Sequence, residues 1–567
     1  MKPHLAVVLA DDLGWNMTGY SGNPYTATPA MDRLLQDEGL ILERHYAHSS
    51  CGPSRASLLT GRVWMRAGIA GWACPDSIYG PALPMTMLPA KLRAAGYATH
   101  QQGKWDAGMA SVSLLPVSRG FETSYGFLWA KEDHWQQTLT ENACAIECDL
   151  PPGTIDVWEN DRPRIGVAGT SYGDLLWTER AVEIIDRHDA ASRPLFLYLC
   201  LQAPHDPYQA PTELVSRVKS AGYRGATHPL NQLAMSLVVD EAIANVTAAL
   251  KRRDMWQQTL LVVASDNGGY NGGYKQINHP LRGFKGTSYE GGIRVAAFVS
   301  GGLLPQKMRG RRTASLMHLT DWYATFCGLA GVDASDDVGV QDSDGALSTM
   351  PSVDSIDQWP VLSGATSGAV RTELWAETNV LLRLFDVGSN GGGADDDGGL
   401  LFKLNLDHKD TSGAMLHDLT SDPSETNDLA AEWPDMAAAM AARLTELQAT
   451  AFAGTYDDLQ PSHAAEIRNA AERNSRVLVP IDFTWDWALY QPPAAPPPPP
   501  PVVVVTKKHA FGYFIVGGIV GAIAIAYTRT IKRKSVRRSP GPGPAQPDRV
   551  TRMSHRRLAD VESFQSL

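Results

Sequence analysis

Short apolar runs alternate with stretches of helical period through the first 330 residues. Residues 5–10, 195–201, 259–264 and 295–299 are rich in Val, Leu and Ala and bounded by turn residues. Such short continuous runs mark strands buried on both faces, as in a parallel sheet. Helical patterns lie between them. One starts at Thr28-Pro29 and stops before Gly39, with a capping residue, Pro at the first helical position and Gly beyond the end. Others cover about 87–95, 174–188, 230–251 and 318–328. The alternation predicts an α/β domain: a mostly parallel sheet with helices on both faces. Ligands of such sheets bind beyond the carboxyl ends of the strands.

The pattern changes further on. Residues 331–360 are Asp/Ser/Gly-rich and read as a loop. Runs at 381–385 and 400–406 flank a Gly/Asp-rich hairpin loop at 388–399, a short strand follows at 415–419, and 434–449 is an Ala/Met-rich helix. This predicts a small antiparallel C-terminal subdomain. The expected organisation is a catalytic α/β domain over 1–365, the subdomain and a wrap-around segment over 366–490, a proline-rich linker over 491–508, a transmembrane helix over 509–528 and a basic, disordered tail over 529–567.

Residues 510–527 are eighteen in a row without a charge, the lower limit for a membrane-crossing helix. The nearly all-proline run 492–501 ahead of them is a stiff, extended spacer. Arg529, Lys532, Arg533, Lys534, Arg537 and Arg538 follow the span, against Lys507 and Lys508 before it. That bias puts the C-terminus in the cytosol and the large domain in the lumen or outside the cell. Gly517 and Gly521 form a GxxxG pair, the basis for expecting a homodimer. At the other end, Met1–His4 leads straight into the first strand and is too short for a signal-peptide apolar region.

A net charge of −11 argues against a nucleic-acid partner. The six cysteines are Cys51, Cys74, Cys144, Cys148, Cys200 and Cys327. Cys144 and Cys148 have a spacing that permits a local disulfide, Cys200 ends an apolar run and reads as a buried thiol, and no Cys/His set has zinc spacing. Asp11-Asp12 follow the first strand, and Asp266-Asn267 follow the strand at 259–264. Acid and amide oxygens converging from two strand ends suit a hard divalent cation. Lys104 and Lys285 stand in Gly-rich turns, and His205 lies just past the strand at 195–201.

Residues 51–62 read Cys-Gly-Pro-Ser-Arg-Ala-Ser-Leu-Leu-Thr-Gly-Arg. This segment resembles the signature of type I sulfatases, and the likeness extends over roughly residues 4–450. The resemblance implies an alkaline-phosphatase-like fold and hydrolysis of sulfate esters. It implies that a formylglycine-generating enzyme converts Cys51 to formylglycine, whose hydrated aldehyde attacks sulfur. Asp11, Asp12, Asp266, Asn267 and the modified Cys51 would surround calcium, with magnesium as the second choice. Arg55 would hold that region in register, Lys104 and Lys285 would bind sulfate oxygens, and His205 would protonate the leaving oxygen.

One position departs from the pattern. The family reads Gly-Lys-Trp-His, whereas this chain reads Gly103-Lys104-Trp105-Asp106. Asp106 is a competent base in principle, with His100 or His134 as replacements. Lys104, Lys285 and the cation are expected to keep its pKa low. Within the family the chain is most similar to the N-acetylgalactosamine-4-sulfatase group, arylsulfatase B and its relatives, through segments such as Gly120–Phe127, Glu132-Asp133-His134 and Pro280–Gly283. The expected substrate is therefore a sulfated glycan or an aryl sulfate. Two other readings stand beside it: a phosphate or phosphonate monoester hydrolase of the same superfamily, and a catalytically silent, membrane-anchored binder of sulfated glycans. Asn245 and Asn16 head glycosylation sequons, and Asn16 lies too near Asp12 to be a favoured acceptor.

Overall fold

A computed structural model describes residues 2–68, 80–140, 153–336, 339–341, 347–366, 368–385, 399–407 and 413–452. All of them belong to one compact unit, Met1–Ala494. The linker, the span at 509–528, the tail, and Cys74, Cys144 and Cys148 lie outside the described residues.

Ten strands form the main sheet: β1 (His4–Ala10), β2 (Leu40–Leu42), β3 (Ala98–Lys104), β4 (Thr123–Phe127), β5 (Trp158–Glu159), β6 (Arg162–Pro163), β7 (Leu195–Cys200), β8 (Thr259–Ser265), β9 (Ala297–Ser300) and β10 (Arg311–Thr313). Their order is β10-β2-β9-β8-β1-β7-β3-β4-β5-β6. The five strands from β8 to β4 are mutually parallel. Antiparallel pairs flank them: β9 against β8 and β2, and β5 against β4 and β6. The sheet is therefore mixed, where the apolar runs alone suggested a mostly parallel one. Run 295–299 was legible as a strand, but its direction depends on the crossover before it, which hydropathy does not encode.

Helices cover both faces. They include α1 (Pro29–Asp37), α2 (Cys51–Thr60), α3 (Leu88–Ala94), α4 (Gly173–Arg187), α5 (Thr212–Ser220), α6 (Thr227–Arg252) and α7 (Asp321–Ala330). One buried cluster joins alternate residues of the central strands, such as Val7, Phe196 and Val262, to α2, α3 and α7. The other joins Val8, Leu197 and Val263 to α4 and α6. The period-two partition is what a sheet packed on both sides requires. Helix α6 is long and apolar enough to cross a membrane, but it is mostly buried inside the domain and reads as a core helix. The start of α1 is capped from a distance: the Asp240 carboxylate on α6 accepts the Ala30 and Met31 N–H groups at 3.1 and 2.9 Å. Thr28, expected as the cap, makes no side-chain cap bond.

The predicted C-terminal subdomain is a four-stranded antiparallel sheet, β11 (Glu373–Glu377), β12 (Val380–Phe385), β13 (Leu400–Asn405) and β14 (Met415–Asp418), in sequential order, with α8 (Pro434–Gln448) against it. Its other face packs on Tyr46, Ile293 and Leu316 of the large domain. Lys403 anchors this seam, buried between Glu290 Oε1 at 3.2 Å and Glu425 Oε1 at 2.9 Å. The Tyr46 hydroxyl donates to Glu290 Oε2 at 2.9 Å, and the Glu290 N–H donates to Glu425 Oε2 at 2.6 Å.

Candidate active site

Register brings the site together. Ala10 of β1 pairs with Ser265 of β8, so Asp11 and Asp266 leave adjacent parallel strands side by side. Leu9 and Gly103 both pair with Cys200 of β7, which puts Lys104 and the start of the His205 segment at the same end of the sheet. Asp12 and Asp106 both have left-handed backbone, with φ of 66° and 47°. Aspartate visits that region more readily than bulky or β-branched residues.

Helix α2 delivers Cys51 from the other side. Pro53 sits in its first turn, where the missing N–H leaves nothing unpaired. Gly61 ends it in the left-handed conformation, φ 69°, and a Cβ there would meet the Tyr323 ring at 2.8 Å. The two arginines of the signature have different tasks. Arg55 is fully buried and donates to Asp266 Oδ2 through Nε at 3.1 Å and NH2 at 2.8 Å. Arg62 is equally buried but faces away, holding Asp336 Oδ2 at 3.1 Å and the Pro351 carbonyl at 2.6 Å. It fastens the helix end to the loop that follows α7.

Cys51 is 5 % exposed. Its Sγ donates to Asp11 Oδ1 at 3.2 Å and accepts from Lys285 Nζ at 3.0 Å. Lys285 also reaches Asp12 Oδ1 at 2.7 Å, and Lys104 reaches Asp11 Oδ2 at 2.6 Å. Burial, with Asp11 alongside, pushes the Cys51 thiol well above its ordinary pKa despite Lys104 and Lys285. A protonated, enclosed thiol is a poor nucleophile.

Burial raises the Asp12 carboxyl to about 7, with Lys285 opposing and Asp11 and Asp266 adding to the rise. Burial also pushes Asp11 up, but Lys104, Lys285 and Arg55 outweigh it and hold that carboxyl below its usual value. Three carboxylates crowded out of water call for a cation. The residues fit one. Asp11, Asp12, Cys51 and His205 bring potential ligand atoms within 4.8 Å of one another. Asn267 Nδ2 donates to Asp12 Oδ1 at 2.6 Å and to the Gly268 carbonyl, while its Oδ1 is buried with no partner. An unpaired buried amide oxygen beside carboxylates is an acceptor left for a cation. Asp266 differs from the expected open ligand, because its Oδ2 is already held by Arg55 and its Oδ1 accepts the Asp12 N–H at 3.2 Å.

His205 donates Nδ1–H to the Asp206 carbonyl at 2.7 Å, which leaves Nε2 toward Asp12 Oδ2 at 3.8 Å. Burial, then Lys285, lowers its pKa well below that of free imidazole. Lys131 was not singled out in the sequence. It pairs with Asp206 Oδ2 at 2.7 Å and thus supports the His205 turn from behind. No local pattern marks it, since its partner lies 75 residues away.

Asp106 lies 3.6 Å from Lys104 Nζ. Its carboxyl is raised by burial, which outweighs Lys104 and Arg55. The expected low pKa counted a cation as well as the lysines; among the protein groups alone the lysines are engaged by Asp11 and Asp12, and desolvation decides. His100 is not a substitute base at this site. Its Nδ1 bonds Thr123 Oγ1, and it lines a separate cleft with Arg180 and His188. His134 stands one layer back, with Nε2 3.1 Å from the His205 carbonyl oxygen.

Buried carboxylates, a thiol and lysines thus gather at the carboxyl ends of the parallel strands of an α/β domain. The sequence profile of the Sulfatase family matches residues 3–332, and the chain belongs to that family. It is 36% identical over 346 residues to arylsulfatase J of Mus musculus, a match covering 59% of this chain and 54% of that protein. The chain thus spans about half the length of that relative. It is 26% identical over 402 residues to N-acetylgalactosamine-6-sulfatase of Sus scrofa, covering 66% and 72% respectively. The fold is similar to that of Ps i-CgsB solved in complex with k-i-k-neocarrahexaose, with TM-score 0.66 and 23% identity over 84% of this chain and 99% of that one.

Proposed function

We propose that the chain hydrolyses sulfate esters of a glycan, with Cys51 as the precursor of the nucleophile. The observation that carries this reading is the enclosure of Cys51 Sγ between the Asp11 carboxylate and the Lys285 ammonium. The sulfur marks where the hydroxyls of a formylglycine hydrate would sit. Converted to formylglycine, the residue supplies a hydroxyl nucleophile and a second hydroxyl whose deprotonation expels the sulfate.

Asp11, Asp12, Asp266 and Asn267 would hold a divalent cation. Oxygen donors favour calcium, then magnesium, over zinc. That ion would supply Lewis-acid polarisation of a sulfate oxygen. Lys104 and Lys285 neutralise the sulfate. Its negative charge also favours the imidazolium form of His205, whose Nε2 then donates to the leaving oxygen. Asp106 takes the proton that drives sulfate release. N-acetylgalactosamine esters are the favoured substrate class, because the N-acetylgalactosamine-6-sulfatase of Sus scrofa, by its name, and the 4-sulfatase-like segments agree on that sugar. The apolar run 510–527 and its basic flank support a membrane anchor with the catalytic unit outside the cytosol. A silent glycan-binding protein is the second reading, favoured by Asp106.

Protein purified from a eukaryotic secretory host decides between them. The peptide bearing Cys51 is expected to weigh about 18 Da less than its thiol form, the difference between CH2–SH and an aldehyde. The protein should turn over 4-nitrophenyl sulfate faster than 4-nitrophenyl phosphate and resist carbonate extraction from membranes. Cys51→Ala should abolish sulfate release. An unmodified thiol with turnover of neither ester would leave the binder. Unchanged release from Cys51→Ala would remove Cys51 from the reaction.

A further inference from the structure

The loop joining Asn267 to Glu290 does more than present Lys285. Between its arms lies a cleft of about 410 Å3, lined wholly by residues 271–289. Its lining includes Lys275, His279 and Arg282 and no acidic residue, in a chain of net charge −11. Arg282 is held ready: its guanidinium carbon lies 4.0 Å from the Tyr289 ring centroid, and NH1 donates to the Glu425 carbonyl at 3.1 Å. Among the described residues no carboxylate pairs with Arg282 or Lys275, and both are exposed residues of the cleft lining. A guanidinium fixed by stacking is a planar fork for sulfate or carboxylate, with little entropy left to lose. A cleft lined by one sign of charge also concentrates the potential.

The cleft belongs to the same loop as the reacting centre. Asn278, in its wall, accepts from the Gly269 N–H at 2.9 Å and donates to the Gly269 carbonyl at 2.8 Å, two residues past Asn267. Phe284, at its rim and 37% exposed, immediately precedes Lys285. Lys285 Nζ is 3.0 Å from Cys51 Sγ. An exposed aromatic ring beside amides and cations suits the apolar face and the charged substituent of a sugar.

We infer that this cleft is a subsite for a second anionic group, sulfate or carboxylate, on an oligosaccharide whose reacting sulfate lies at Cys51. The assignment rests on the sulfatase reading above. It makes the chain selective for multiply charged oligosaccharides over small monosulfates.

The test compares the full chain with Lys275→Gln/Arg282→Gln, and with Lys275→Gln alone in case the Arg282 change disturbs folding. The probes are a chondroitin sulfate hexasaccharide, its carboxyl-reduced form and its desulfated form, bound by calorimetry on a Cys51→Ala background. In parallel, KM for 4-nitrophenyl sulfate is measured with Cys51 intact. Affinity for the hexasaccharide is expected to fall about tenfold in the double variant, at least several times more than KM for the aryl ester rises. A fall that persists with the carboxyl-reduced probe identifies sulfate. One that persists only with the desulfated probe identifies carboxylate. Equal affinities of parent and variants for all three probes overturn the subsite, as does an equal loss for the aryl ester. A parent chain that releases sulfate from neither the hexasaccharide nor the aryl ester refutes the sulfatase reading instead, and the calorimetry still decides the subsite.

Discussion

Two clusters of buried charge stand in this molecule, and they are built to different ends. At the seam, Lys403 lies between Glu290 and Glu425, and Tyr46 and a backbone N–H take further carboxylate oxygens. Burial alone would lower the lysine's pKa, but Glu425 and Glu290 together raise it, so the charge is locked in place. Around Cys51 the balance stays unfinished. Arg55, Lys104 and Lys285 are shared among Asp11, Asp12 and Asp266, the Asp12 carboxyl is pushed up to about 7, and Asn267 Oδ1 has no partner. A cluster that closes on itself holds domains together. One that leaves an acceptor open and a carboxylate unstable awaits something from outside.

The contrast is broken most strongly at the open cluster. Thorough chelation, or Asp266→Ala, should lower turnover of an aryl sulfate by about a thousandfold, the several kcal/mol expected of a charge-stabilising cation. Calcium should restore the chelated enzyme and not the variant. Activity that survives both treatments would show that the carboxylates are balanced by the lysines alone.

At the closed cluster the effect should fall on stability. Lys403→Met leaves Glu290 and Glu425 facing each other without a cation, a change of the kind that costs about 3–5 kcal/mol. Differential scanning calorimetry should record a clear fall in Tm, while turnover per folded molecule stays within about twofold. A variant with normal Tm would mean that the two glutamates protonate at little cost.

The smallest and sharpest probe is Asp106. A base must be ionised to act, so activity should be lost as pH falls through its pKa, which burial holds above the ordinary carboxylate value. Asp106→Asn keeps a residue that tolerates φ 47° and removes the base, and should slow steady turnover about tenfold after a burst of alcohol product. Asp106→His also suits that backbone and should raise turnover, with its acid limb moved to the histidine range. Wild-type turnover without a burst in Asp106→Asn would make the carboxylate a bystander.

Much of this was legible in the sequence, for physical reasons. Strands β1, β7 and β8 are apolar on both faces, so their composition declares them. Strand β3, Ala-Thr-His-Gln-Gln-Gly-Lys, escaped notice because it is polar, yet Gln101 and Lys104 are buried by bonds and ion pairs that form only in the fold. Asp11, Asp12, Asp266 and Asn267 could be read as oxygen donors at strand ends. The seam could not be read at all, because Glu290, Lys403 and Glu425 are far apart in the chain and form no local pattern. The burial of Asp106 could not be read either, because charge partners can be counted along a sequence, whereas desolvation cannot.

The span of chain that separates Cys51 from Lys285 also sets a clock. The thiol is walled in by residues that come before it, Asp11 and Asp12, and by one that emerges 234 positions after it. Until that later residue exists, the wall has a gap and Cys51 is open to a modifying enzyme. At about 5–20 residues per second, synthesis leaves that gap open for roughly ten to fifty seconds. On the proposed reading, oxidation of this cysteine would thus be an event in the life of the growing chain, and a molecule that folds first would carry its thiol sealed inside.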